Sequence, residues 1–242
     1  MAARHAAATI DLGTGDGRYV LAAAAAQPDR LVVGVDASAP AMAVASRRAA
    51  ASARRGGLPN AVFVVAAVEA LPRELDGLAD LVTVHFPWGS LVRGLLAADP
   101  ATMTSLTRVM RPGATLSMLL SSTDRDRGAG LEPLREPAMH ALAASYAGWG
   151  LVVAEARPAT AADVAAAHST WGKRLGAGKQ RPAWLLRARF DPPLQATAAA
   201  AEEEQDDEDD DDDQQQRAEP HGASLRVARP PTRRGRRVTS HG

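Results

Sequence analysis

Cysteine is absent from this 242-residue chain, which removes disulfide staples, thiolate nucleophiles and Cys-based zinc sites from consideration. Aromatic side chains are scarce, at 4% of residues, so each of the four tryptophans is a position to account for. The first ten residues hold no apolar run suited to a signal peptide. No later stretch is apolar for the roughly twenty residues that a membrane span needs, so a cytoplasmic protein without membrane segments is expected. The six histidines show no ligand spacing. His85, His140 and His168 read as loop or helix-surface residues, and no metal is expected. Ser121 and Ser122 lie outside any nucleophile elbow, and no Ser/His/Asp order points to hydrolysis.

The formal charge of zero hides a segregation. Eleven carboxylates stand between Glu202 and Asp213, followed by Gln214 to Gln216 and an Arg-rich end. Such a stretch buries too little apolar surface to offset chain entropy, so residues 196–242 are expected to be a disordered tail behind one domain at residues 1–195. That domain carries 21 basic and 16 acidic groups, a lean of +5 toward an anionic partner.

From Ala7 to Phe190 short β-branched runs alternate with longer alanine-rich ones, the pattern of βαβ units around a mostly parallel sheet. Seven strands are predicted: Ala8 to Leu12, Leu31 to Val35, Ala61 to Ala66, Leu81 to Phe86, Ala114 to Leu120, Leu151 to Ala156 and Ala183 to Phe190. Helices are predicted at Arg18 to Gln27, Ala39 to Arg54, Ser90 to Ala97, Thr102 to Met110, Pro133 to Gly148 and Thr160 to Ala167. Ser38, Asp99 and the Thr160–Asp163 pair suit helix caps. Asp124 to Gly130 reads as a flexible loop, a candidate lid.

The first strand runs into Asp11, Leu12, Gly13, Thr14, Gly15, Asp16 and Gly17, and a helix follows at once. Glycines allow a tight turn and close ligand approach, and the helix start presents amide donors, so an anionic or carboxylate-bearing cofactor is implied. Dinucleotide sites use G-x-G-x-x-G at this turn. Here the spacing is G-x-G-x-G with Asp11 two residues ahead, which favours S-adenosylmethionine (SAM). Asp36 closes the second strand, where a carboxylate accepts both ribose hydroxyls. Capping the next helix is the alternative for Asp36, although Ser38 is better placed. Val68-Glu69-Ala70-Leu71-Pro72, after the third strand, is where contacts to the adenine ring of SAM are expected; Glu69 also suits the start of a helical turn.

Ligands of a parallel α/β sheet collect at the carboxyl ends of its strands. His85-Phe86-Pro87-Trp88-Gly89-Ser90 ends the fourth strand and puts Trp88 beside the methyl donor. Enzymes that methylate an exocyclic amine carry Asp/Asn-Pro-Pro-aromatic here; Phe86 in the polar position speaks against that substrate. Trp171 lies in a predicted loop, Ser169 to Leu175. From there to Arg189 the chain holds six basic residues (Lys173, Arg174, Lys179, Arg181, Arg187 and Arg189) and no acid. A lone Trp is either core packing or a stacking platform, and basic, glycine-rich surroundings favour the platform.

The runs DLGTGDGRY, VEALP, FPWGSLVRGLL and STWGKRL, in this order over residues 9–190, resemble the aminoglycoside-resistance methyltransferases that modify N1 of adenine-1408 in 16S ribosomal RNA. The resemblance implies a class I SAM-dependent methyltransferase, Rossmann-like, with helices on both faces of the sheet, acting on 16S rRNA within the 30S subunit; a monomer is the simplest expectation. It implies that Asp11, Gly13, Gly15, Asp36, Glu69 and Ala70 contact SAM. Trp88 and Trp171 would sandwich the flipped adenine, with Pro87 and Ser169 lining the pocket and Lys173, Arg174 and Arg181 on the RNA backbone. Family members carry a hairpin ahead of the first strand; only ten residues precede Asp11, so either the start is late or the sheet edge is incomplete.

No added base is needed, because adenine N1 has a free lone pair at neutral pH and positioning is the catalyst. Two rivals stand beside this reading. One is a related methyltransferase on another RNA or a small molecule, indifferent to loss of Trp88 or Trp171. The other is a nucleic-acid-binding protein without SAM affinity, which titration with SAM separates.

Overall fold

The computed structural model describes residues 5–178 and 181–192; the tail expected at residues 196–242, and Lys179, lie outside the described residues. Among the described residues seven strands form one sheet: β1 (Ala7–Leu12), β2 (Arg30–Asp36), β3 (Ala61–Val65), β4 (Ala79–His85), β5 (Met110–Leu120), β6 (Leu151–Pro158) and β7 (Trp184–Phe190). Their order is β3-β2-β1-β4-β5-β7-β6, parallel throughout except for β7, which runs against both β5 and β6. This is the expected class I, Rossmann-like architecture, and the strand order reverses between β1 and β4.

The helices are α1 (Arg18–Ala26), α2 (Ala39–Ala49), α3 (Gly89–Leu96), α4 (Pro100–Arg108), α5 (Glu136–Ala147), α6 (Ala161–Ala166) and α7 (Thr170–Leu175). Alternation along β2 assigns them to faces. Val32 packs with Val20 and Ala24 of α1, whereas Leu31, Val33 and Val35 join a larger core with Leu95 of α3, Leu106 of α4 and Met139 of α5. Each such side chain, fully buried, contributes about 1.5–3 kcal/mol. Tyr146 is wholly buried there, its hydroxyl donating to the Leu95 carbonyl at 3.1 Å, and burial raises its pKa above the ordinary phenol value.

The caps form where polar residues precede apolar runs. The Ser38, Asp99 and Thr160 side chains accept from Ala41, Thr102 and Asp163 N–H groups. β1 lies inside the sheet, paired with β2 and β4. Three expectations need correction. α2 stops at Ala49 rather than Arg54, and a separate 3-10 turn, Ala53–Arg55, leads to left-handed Gly56. Asp124–Ala129 is a 3-10 helix with a Thr123/Asp126 capping box, not a loose loop. Thr170–Leu175 is helix, not loop: Ser169 caps it, and Gly172 is required because a Cβ there would lie 2.6 Å from the Phe86 ring.

Candidate functional site

A cavity of 570 Å³ opens at the carboxyl ends of the central strands, beside the reversal point. Its floor is the turn after β1. Gly13 and Thr14 donate to the Val35 carbonyl, hooking the turn over the end of β2. Gly13, Gly15 and Gly17 have φ of 71°, 57° and 71°; a Cβ on Gly17 would sit 2.6 Å from Phe63. Asp36 braces the turn: one carboxylate oxygen accepts from Gly15 N–H and the other from Ser38 N–H, both at 2.8 Å. Ser38 is the helix cap, as its Oγ accepts from Ala41 N–H, which leaves the Asp36 oxygens their outer lone pairs for a ligand.

Asp11 is buried below the turn, between Gly34 and Thr83 in register. Its carboxylate accepts from the Thr83 hydroxyl at 2.7 Å. His85 Nδ1 stands 3.4 Å away and forms no hydrogen bond. His85 is therefore no surface residue: it ends β4, its side chain is 12% exposed, and it forms cavity wall. The Tyr19 ring meets it edge-on, centroids 4.5 Å apart. Burial, then the negative charge of Asp11, push the Tyr19 hydroxyl pKa up to about 12. Tyr19 and His85 were invisible as site residues in the sequence, because only register and helix packing bring them under the cavity.

Among the described residues, three buried side-chain atoms lack a hydrogen-bond partner, and two of them, Thr14 Oγ1 and His85 Nδ1, belong to residues of the cavity wall. With the glycine turn and Asp36 they make a set of hydrogen-bond donors and acceptors suited to the polar half of SAM, while Ala66, Ala67 and Val68 give an apolar flank for its adenine. Glu69 is in this wall; Ala70 is exposed and outside it.

The mouth is built by Phe86, Pro87, Trp88 and by Ser169, Thr170, Trp171 and Arg174. Phe86 is buried and leaves β4 with φ 52°, a strained value for an aromatic residue, and this turns Pro87 and Trp88 over the cavity. Trp88 and Trp171 are 48% and 39% exposed. Their rings are brought together, as expected, but not as a sandwich: the centroids are 5.7 Å apart and the planes inclined 62°. A base between two rings needs parallel faces about 7 Å apart, two van der Waals spacings.

The basic run divides. Lys173 and Arg174 are exposed on α7 and form no ion pair among the described residues. Arg181 is instead turned inward, against the expectation of a backbone grip: its guanidinium donates to Asp126 at 2.6 Å and to Ser121 Oγ at 2.8 Å. Burial works to raise the Asp126 carboxyl, but donors from Thr123 and the Arg181 charge outweigh it and hold the pKa below the usual range. Arg187 pairs with Glu155. An unpredicted cluster, Arg47, Arg48, Arg54 and Arg55, is exposed at the far end of α2, without ion pairs among the described residues.

The family described as NpmA, 16S rRNA (adenine(1408)-N(1))-methyltransferase, matches residues 1–190. A 16S rRNA (adenine(1408)-N(1))-methyltransferase of Streptoalloteichus hindustanus is 37% identical over 177 residues, 71% of this chain and 81% of that one. Among crystal structures, a tryptophan-to-alanine mutant of the same-named enzyme from Catenulisporales acidiphilia, with cosubstrate SAM, matches with a TM-score of 0.71 at 32% identity, covering 80% of this chain and 89% of that one. The aminoglycoside resistance methyltransferase NpmB1 matches with a TM-score of 0.67 at 36% identity, covering 78% and 89%. The family match takes in every strand of the sheet and every wall of the cavity, and this chain belongs to the 16S rRNA (adenine(1408)-N(1))-methyltransferase family.

Proposed function

We propose that this protein methylates N1 of adenine-1408 in the decoding site of 16S rRNA, using SAM, and so confers aminoglycoside resistance. The observation that carries the reading is the pair of exposed indoles, Trp88 and Trp171, at the mouth of a cavity whose floor is the glycine turn. Exposed tryptophans beside free cations are a platform for an unstacked base and its phosphates.

Bound in the cavity, SAM supplies an electrophilic methyl group on a sulfonium. The Gly13–Gly15 turn and Asp11 would hold its methionine end, Asp36 its ribose, and Val68 and Glu69 the flank of its adenine. Trp88 and Trp171 part and rotate to take the target base on its two faces, with Pro87 and Ser169 at its edge. Their π faces would stabilise the positive charge of a base methylated at N1. Lys173 and Arg174 meet phosphates. Arg47, Arg48, Arg54 and Arg55 extend the basic surface away from the cavity, which fits an extended RNA and the assembled 30S subunit better than a small substrate. The enzyme acts as a monomer in the cytoplasm.

The test is primer extension across 16S rRNA from cells expressing the protein. A stop opposite adenine-1408, with resistance to kanamycin and apramycin, is the expected result. SAM-binding protein that leaves this base unmodified overturns the substrate reading.

A further inference from the structure

The helix that carries Trp171 is too short to stand alone; one and a half turns have almost no intrinsic stability, so contacts set its position. Its backbone hydrogen bonds stay within the segment from Ser169 to Arg181. Besides the Trp88–Trp171 ring contact, Gly172 and Thr170 tie it to the rest of the protein. Gly172 lies against the ring of Phe86, the residue that turns the Trp88 loop. The Thr170 hydroxyl donates to Asp16 Oδ2 at 2.5 Å, across 154 residues of sequence. Asp16 is the one side chain of the glycine turn between Gly15 and Gly17, and Asp16 and Thr170 both line the cavity. Its other contacts are local: Oδ1 accepts from Arg18 N–H at 3.3 Å, and Arg18 Nε is 3.2 Å from Oδ2.

We infer that Thr170 is a positioning residue that ties the cofactor turn to the base platform. A short hydroxyl-to-carboxylate bond is among the stronger hydrogen bonds, and this one is adjacent in sequence to Trp171. A ligand that immobilises the turn immobilises Asp16, and through Thr170 it fixes α7 and the Trp171 indole. Part of the ordering cost of the base site is then met when the cofactor binds, so the two ligands favour each other through the Asp16–Thr170 bond. Linkage makes the coupling reciprocal: the rRNA substrate tightens the cofactor by the same factor. The inference rests on the methyltransferase reading given above.

The experiment compares wild type, Thr170→Val and Thr170→Ser. Valine keeps the shape and removes the hydroxyl; serine keeps the hydroxyl. Three quantities are measured: SAM affinity by calorimetry with and without 30S subunits, the single-turnover methylation rate on 30S subunits, and the SAM-induced change in that part of the tryptophan emission which Trp171→Phe removes. For Thr170→Val the expected result is wild-type SAM affinity in the absence of RNA, no Trp171 emission response to SAM, a methylation rate lower by about 5- to 150-fold, and loss of the affinity gain on adding 30S subunits. Thr170→Ser restores all of these. A valine variant with a wild-type emission response and rate overturns the inference, as does a serine variant as impaired as valine. If Thr170→Val does not fold, Asp16→Asn, which weakens the acceptor, is read by the same emission response. If wild type binds SAM but leaves the rRNA unmethylated, the substrate reading fails while the emission response still decides the coupling.

Discussion

The indole of Trp171 stands edge-on to that of Trp88, 5.7 Å between centroids, although 83 positions separate them in the chain. Each is carried by a segment that sequence patterning reads as loop, and each is placed by Phe86: one through its left-handed backbone, the other through the glycine packed on its ring.

Replacing either indole with alanine removes one face of the platform. Base stacking is worth about 1–3 kcal/mol, so Trp88→Ala and Trp171→Ala should each lower kcat/KM on 30S subunits by about 5- to 150-fold. Calorimetry should show SAM binding retained. Full activity in either variant would remove the base-platform role.

Asp36 holds both the turn and the start of the second crossover. Asp36→Ala strips charged acceptors from the Gly15 and Ser38 N–H groups and, on the proposed reading, from the cofactor ribose. At about 1.5–3 kcal/mol for a hydrogen bond to a charged group, SAM affinity should fall by about 10- to 150-fold. Undiminished SAM affinity would show that the ribose is held elsewhere.

Arg181 should behave as a structural residue. Its pair with Asp126 is nearly buried, 11% and 6% exposed, and breaking such a pair costs about 3–5 kcal/mol. Arg181→Ala should lower the urea midpoint sharply, whereas Arg174→Ala should leave it unchanged and weaken rRNA binding. The reverse pattern would return Arg181 to the RNA surface.

Stability should be flat near neutral pH and fall in acid. Arg157 and Thr160 hydrogen bonds hold the Asp163 carboxyl below the ordinary range, and Asp126 is held below it as well. A carboxyl depressed by folding contributes stability above its unfolded pKa, about 3.9, and loses it as pH falls through the folded value. Urea midpoints from pH 7 to 2 should therefore decline below about pH 4, and less steeply in Asp163→Asn. A midpoint that rises on acidification would contradict both ion pairs.

The strands, the principal helices and the glycine turn were legible in the sequence because their signals are local: β-branched runs, caps at Ser38 and Asp99, and glycines where positive φ is needed. Helix α7 was not, since two glycines in STWGKRLG argue against helix by propensity, and the reason for Gly172 is a ring 86 positions earlier. The role of Arg181 was hidden for the same reason: no acid is near it in sequence, and its partner Asp126 arrives from another segment.

The sequence alone determined the βαβ alternation, the acid-glycine turn and the presence of one tryptophan after the fourth strand and another between the sixth and seventh, because helix and strand periodicity and turn chemistry are properties of neighbouring residues. Only the tertiary structure decided that His85 and Tyr19 underlie the cavity, that Arg181 faces inward, and that Thr170 reaches Asp16. Those facts depend on strand order and register, which set distances between residues that share no local signal.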